Sequence, residues 1–321
     1  MMMHNIYTAL FRFAVTMLVG AACIGCFDLP SESKIEGFRV LGMTAEPPDI
    51  TPGEGTRLEV LWADPEGEGQ AVSFAWIGCL GYLHSSSGLS ACEMILPPVV
   101  ETAENGGDVL EIPFTPEDIL DYDMLVQKDP GGKRWAQVTF IVLMCNGGIL
   151  PDSDEYEGLK DTRNINTLCD GGEGISVYKT VVVSESDEPQ LNPEIERLTA
   201  DGTELTDGED AEPFVVRCSR ADGCGAEVDI EGFFTEESPQ TYEDIEFGET
   251  VTLTEKLSIA WYVTGGDVKM PTAGPAGDDA LGPYENVWRP KKPGNFILYA
   301  VAHDNRGGVS WRAYPFEVRS P

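Results

Sequence analysis

The sequence predicts an all-β chain in which one sandwich-like unit occurs twice behind an apolar N-terminal segment. Two observations carry that prediction. Four segments recur in the same order in the two halves of the chain, and the recurring segments have strand character. In the clearest of them Leu257, Ile259, Trp261 and Val263 alternate with Ser258, Ala260 and Tyr262, the two-residue period of a half-buried strand. Beyond the N-terminus no stretch shows a convincing long helical period. The 321 residues suit about two domains, and 35 Gly with 22 Pro supply the tight turns that many short strands need.

The N-terminal element comes first. The run from Phe13 to Gly25 carries no charge and follows Arg12. It is shorter than the roughly 20 apolar residues that span a bilayer, so residues 1–25 read as a removable export signal. The run ends Gly20-Ala-Ala-Cys23-Ile-Gly-Cys26 and gives way to the polar stretch Phe27-Asp-Leu-Pro-Ser-Glu-Ser. This resembles the lipobox of bacterial lipoproteins, in which a small residue precedes a cysteine that is acylated and becomes the mature N-terminus. The resemblance places the lipid on Cys26, which follows Gly25. Cys23 is the alternative, because the position three residues before Cys26 holds Cys23 rather than the family's Leu. The implied product is exported and held by its acyl chains at the outer membrane or cell surface, with residues 26–34 as a tether. A soluble periplasmic protein is the alternative.

Six cysteines remain: Cys79, Cys92, Cys145, Cys169, Cys218 and Cys224. An even number in an exported chain points to disulfides. By spacing they fall into three local pairs, 79–92, 145–169 and 218–224, although the sequence alone does not choose among the connectivities. Zinc is a poor alternative, for there is no Cys-x-x-Cys and only His84 and His303 follow the signal.

The repeat sets the boundaries. Thr44–Glu54 aligns without a gap on Thr199–Glu209, and Val72-Ser-Phe-Ala-Trp-Ile on Leu257-Ser-Ile-Ala-Trp-Tyr. Residues 138–148 match 296–308, and Ile175-Ser-Val-Tyr matches Val309-Ser-Trp-Arg. The first unit occupies 35–185, an acidic Pro-bearing linker 186–192, and the second unit 193–321. Residues 109–114, 214–217 and 250–254 also read as extended. The first copy carries insertions at 80–98 and 149–174, each flanked by cysteines that can pin a long loop.

Two such copies, each with a tryptophan in mid-domain, resemble immunoglobulin-like sandwich domains of the PKD-like and cadherin-like kinds. The ending Tyr299-Ala-Val-Ala-His-Asp-Asn-Arg-Gly-Gly-Val-Ser-Trp311 is similar to their penultimate and last strands. The resemblance implies adhesion, scaffolding or ligand display and carries no reaction with it.

Charge narrows the partners. With 21 Lys and Arg against 55 Asp and Glu, the net charge of −34 repels nucleic acid and anionic lipid alike. Membrane association then requires the lipid anchor, and a protein or glycan is the expected ligand. For catalysis, His84 in a Ser-rich loop and His303 at a strand end are the available imidazoles, and neither forms a triad pattern; a non-enzymatic role is expected, with a loop-borne hydrolase as a lesser alternative. No cofactor is expected. Calcium is the one metal weighed, at Asp152, Asp154, Glu155 and Glu157, at Glu185, Asp187 and Glu188, and at Asp304, although solvated acidic loops explain these residues more simply. Trp62, Trp135, Trp288 and Trp311 are candidate sugar-stacking residues if they share an exposed face, with core packing the favoured reading, and Trp76 and Trp261 read as core.

Overall fold

Alternating apolar residues fold both halves of the chain into pairs of facing sheets. The computed structural model describes residues 32–65, 72–80, 94–95, 99–103, 109–114, 120, 126–129, 131–147, 150, 169–171, 173–208, 211–219, 224–246, 249–277 and 279–320. Cys23, Cys26, His84, Cys92 and the acids at 152–157 lie outside these residues. No α-helix occurs among the described residues, and residues 32–321 form one compact unit.

The first half contains β1 (Arg39–Glu46), β2 (Asp49–Ile50), β3 (Thr56–Ala63), β4 (Val72–Leu80), β5 (Met94–Ile95), β6 (Val99–Ala103), β7 (Val109–Phe114), β8 (Gln127–Lys128), β9 (Arg134–Asn146) and β10 (Glu173–Ser184). Strands β1, β3 and β7 form one sheet. The facing sheet runs β2-β10-β9-β4-β5, with β6 also on β4 and β8 on β9.

The second half contains β11 (Ile195–Ala200), β12 (Thr203–Glu204), β13 (Phe214–Arg217), β14 (Val228–Phe234), β15 (Thr241–Glu246), β16 (Glu249–Thr254), β17 (Ser258–Val263), β18 (Asp267–Val268), β19 (Thr272–Ala273), β20 (Tyr284–Arg289), β21 (Gly294–His303) and β22 (Val309–Arg319). One sheet is β12-β11-β14-β20-β18 and the other β13-β22-β21-β17-β19, while β15 and β16 pair as a separate hairpin.

The two halves share one plan. In each, the chain leaves the first sheet early and adds a short strand parallel to the last strand of the other sheet, β2 on β10 and β13 on β22. The other pairings between these strands are antiparallel among the described residues, and Lys34 adds a parallel bridge to Val263. This is the immunoglobulin-like sandwich, built twice. The aligned sequence segments fall on equivalent strands, β4 with β17 and β9 with β21.

Each sandwich closes on its own core. In the first, Phe38, Leu58, Val60, Phe74, Val138, Phe140, Val142 and Val181 meet between the sheets. In the second, Leu198, Ile230, Ile259, Trp261, Tyr284, Trp288, Leu298 and Phe316 do so, with Trp288 donating its ring N–H to the Gly265 carbonyl at 2.9 Å. At Asp201-Gly202 both residues have positive φ, 48° and 74°, which turns β11 tightly into β12.

The central strands bury both faces. Along β9 one set of residues enters the sandwich core, while Ile141, Leu143 and Cys145 pack outside it with Ala75, Ile77, Leu150 and Cys169. Along β21 the outward set is Tyr299 and Val301. What covers that set defines the most distinctive region of the molecule.

Candidate functional site

The outward face of the second sandwich, formed by Ala260, Tyr299, Val301 and Val309, packs against Leu41, Leu61 and Ala63 of the first sandwich and against Ile35. All are nearly or fully buried. Tyr262, Ile297, Trp311 and Ala313 extend this shared core at its margin. The approach is close at Gly42, where a Cβ would lie 3.3 Å from the Val301 side chain. A register shift between Val40 and Gly42 brings β1 onto this contact.

Hydrogen bonds ring the apolar seam. Thr44 donates its hydroxyl to the Val309 carbonyl at 2.5 Å. Asn192, the last residue of the linker, donates to the Ala45 carbonyl and to Glu46, at 2.6 and 2.7 Å, and accepts from the Val309 N–H at 3.0 Å. One side chain therefore ties the first strand of the first sandwich to the last strand of the second. Lys179, inside the edge of the first sandwich, donates to the Gly307 carbonyl in the turn between β21 and β22 at 2.7 Å. Gln190 donates its side-chain amide to Asp304 and its backbone N–H to Asp49, which also accepts from Ser184. Each such bond contributes about 1 kcal/mol net, so directionality matters more here than the sum.

The charges in the seam respond to burial. Lys179 is only 5% exposed, and desolvation lowers its pKa to about 8 against the opposing pull of Asp304 and Glu46. Burial also lowers the pKa of His303, assisted by Lys179. Asp49 and Glu255 are pushed up by burial, the latter although Arg306 donates to it at 3.0 Å. Asp304 accepts the backbone N–H groups of Arg306 and Gly308 at 2.7 and 2.8 Å. Donors and acceptors are thus committed to one another, and the arrangement holds two bodies in one orientation.

The residues singled out by sequence fall elsewhere or serve this seam. Disulfides join Cys145 to Cys169 and Cys218 to Cys224. Cys79 is also disulfide-bonded. Of the acids considered for calcium, Glu185 pairs with Arg134 at 2.7 Å, Asp187 pairs with Lys133, and Asp304 caps its own turn. Among the described residues no group of three or more His, Cys, Asp or Glu is placed to hold a metal. Trp62 and Trp288 are core residues and Trp311 lines the seam, so they do not form a shared exposed platform. Trp135 is half-buried on β9.

Sequence reasoning missed Lys179, Asn192, Thr44 and Gln190. A signal existed for the first. In Ile175-Ser-Val-Tyr-Lys-Thr-Val-Val-Val183 the inward positions are 175, 177, 181 and 183, and Lys179 occupies the inward position between them. A separate cleft of about 450 Å³ in the second sandwich is lined by Phe233, Leu281 and Gly282 with Glu196, Glu236, Glu237 and Asp279. The Arg197 guanidinium lies 3.6 Å above the Phe233 ring centre.

No protein-family model matches the chain, and no curated protein matches it by sequence. Among solved structures it is similar to red sea bream transglutaminase, at 10% identity and TM-score 0.27, covering 90% of this chain and 32% of that one. It is similar also to the native conformation of Escherichia coli alpha-2-macroglobulin, at 11% identity and TM-score 0.27, covering 90% and 16%. Dimeric latent PorU from Porphyromonas gingivalis matches at 9% identity and TM-score 0.20, covering 88% and 24%. The chain thus spans a third or less of the length of each of these proteins. These superpositions are loose, and the fold is defined by the chain's own sheet pairing.

Proposed function

We propose that this protein is an exported, lipid-anchored envelope protein that acts without catalysis, presenting two rigidly joined immunoglobulin-like sandwiches for binding or scaffolding. The observation that carries the reading is the seam. Two domains meant to move independently have no use for a shared apolar core ringed by directional bonds from Thr44, Lys179 and Asn192. A rigid pair offers a fixed surface to a partner and loses little entropy on binding.

Oxidised cysteines support export, since disulfides persist outside the reducing cytoplasm. Anchoring rests on the Gly25-Cys26 pattern, and the charge of −34 means that membrane association would depend on such an anchor. Two or more acyl chains give stable attachment, at about 0.8 kcal/mol per buried CH₂.

Metabolic labelling with a clickable fatty acid in a bacterial host tests the anchor. Label on the parent, lost in Cys26→Ser and kept in Cys23→Ser, is the expected result. Absence of label from every form overturns lipidation, and loss only in Cys23→Ser moves the site.

A further inference from the structure

We propose that Ser33–Ile35 forms a releasable strap whose seating holds the two sandwiches together. This rests on the seam and holds whether or not Cys26 is acylated. On the outer edge of β17, β19 pairs with Ile259 and Ala260. Past that point Val263 donates its N–H to the Ser33 carbonyl and accepts the Ile35 N–H, both at 2.9 Å. The segment that precedes the first sandwich thus completes a sheet of the second.

Its side chains span the molecule. Ile35 is 1% exposed and sits in the shared core beside residues of both sandwiches. Three residues on, Phe38 enters the core of the first sandwich, edge-on to Trp62 at 5.5 Å between ring centres. Between them lies Gly37, where even an added Cβ would meet nothing within 4 Å, so no packed side chain fixes the chain at that point. Lifting the strap withdraws Ile35 from the seam and leaves each sandwich core complete.

The strap is held weakly for so buried a segment. Its main-chain hold on the second sandwich is two hydrogen bonds to one residue. Among the described residues the buried Ser33 hydroxyl has no hydrogen-bond partner. A buried hydroxyl that lost its water bonds without replacement opposes the seated state, and release restores its solvation. The same position with a methyl group carries no such penalty.

Hydrogen exchange and hydroxyl-radical footprinting on the full chain test the strap. In the parent, the Ile35 and Val263 amides exchange together and faster than that of Trp261. Ser33→Ala slows both by roughly fivefold or more, the effect of removing one unsatisfied buried hydroxyl. Ile35→Ser speeds both, and raises radical labelling of Tyr299 several-fold while Tyr284, in the second core, stays protected. Three results overturn the proposal: Val263 exchanging only with global unfolding, no slowing in Ser33→Ala, or Ile35→Ser either leaving Tyr299 protected or exposing Tyr284 as well.

Discussion

Strands β9 and β21 are the same strand of the same fold, and both are apolar on two faces. In the first sandwich Ile141 and Leu143 pack with Leu150 and with Cys169, which is bridged to Cys145. In the second, Tyr299 and Val301 are covered by Leu41, Leu61 and Ala63 of the neighbouring sandwich. The described residues show two kinds of cover, Leu150 with the bridged Cys169 on the first sandwich and a partner domain on the second. The difference teaches that a repeat need not be modular: the second copy relies on the first for its outer face.

The comparison can be sharpened first at the paired tryptophans. Trp261 is fully buried, whereas its counterpart Trp76 is half-buried against Phe140. Trp261→Ala is expected to destabilise the second sandwich by about 3–5 kcal/mol. Trp76→Ala should lower stability by clearly less, as read from denaturant midpoints. Next, replacing Cys145 and Cys169 by Ala opens a loop of 24-residue separation and should remove about 2–4 kcal/mol. The loss belongs to the first sandwich's cover, so labelling of Tyr299 should not change.

Lys179 tests the polar ring. Its folded pKa of about 8 lies below its ordinary 10.5, so between those values the unfolded chain still holds a proton that the folded chain has released. Stability from this residue therefore rises from about pH 8 to pH 10.5, by as much as about 3 kcal/mol. Lys179→Met should lack that rise, so the difference in unfolding free energy between parent and variant should grow from about pH 8 to pH 10.5. Gly42→Val forces side-chain atoms onto Val301 and should cost about 1–3 kcal/mol while loosening the seam. Smallest is Arg134→Ala, which breaks a largely exposed pair with Glu185 and is expected to change stability by less than about 1 kcal/mol.

The paired sheets were legible in the sequence because alternation writes one buried face directly. Leu257, Ile259, Trp261 and Val263 are inward residues. The other face was harder to read. Ala260 and Tyr262 sit at the positions that alternation assigns to water, yet they pack in the seam. A hint lay in Val138-Thr-Phe-Ile-Val-Leu-Met-Cys145 and Phe296-Ile-Leu-Tyr-Ala-Val-Ala302, near-continuous apolar runs of the kind that mark a strand buried on both sides. What covers such a run is not local information. The role of Asn192 was illegible for the same reason, since its partners Ala45, Glu46 and Val309 are distant in the chain. Ser33, in the stretch read as tether, and Ile35 just after it bond Val263 through main-chain atoms, which leave no residue signature.

Hydroxyl-radical footprinting of the intact protein gives the most direct measurement of the seam. Tyr299 is 2% exposed, Tyr284 0% and Tyr178 46%, so three tyrosines in one chain supply the test and both standards. Docked sandwiches predict that Tyr299 is modified as slowly as Tyr284. Modification at the rate of Tyr178 would contradict the shared core and return the molecule to two independent domains.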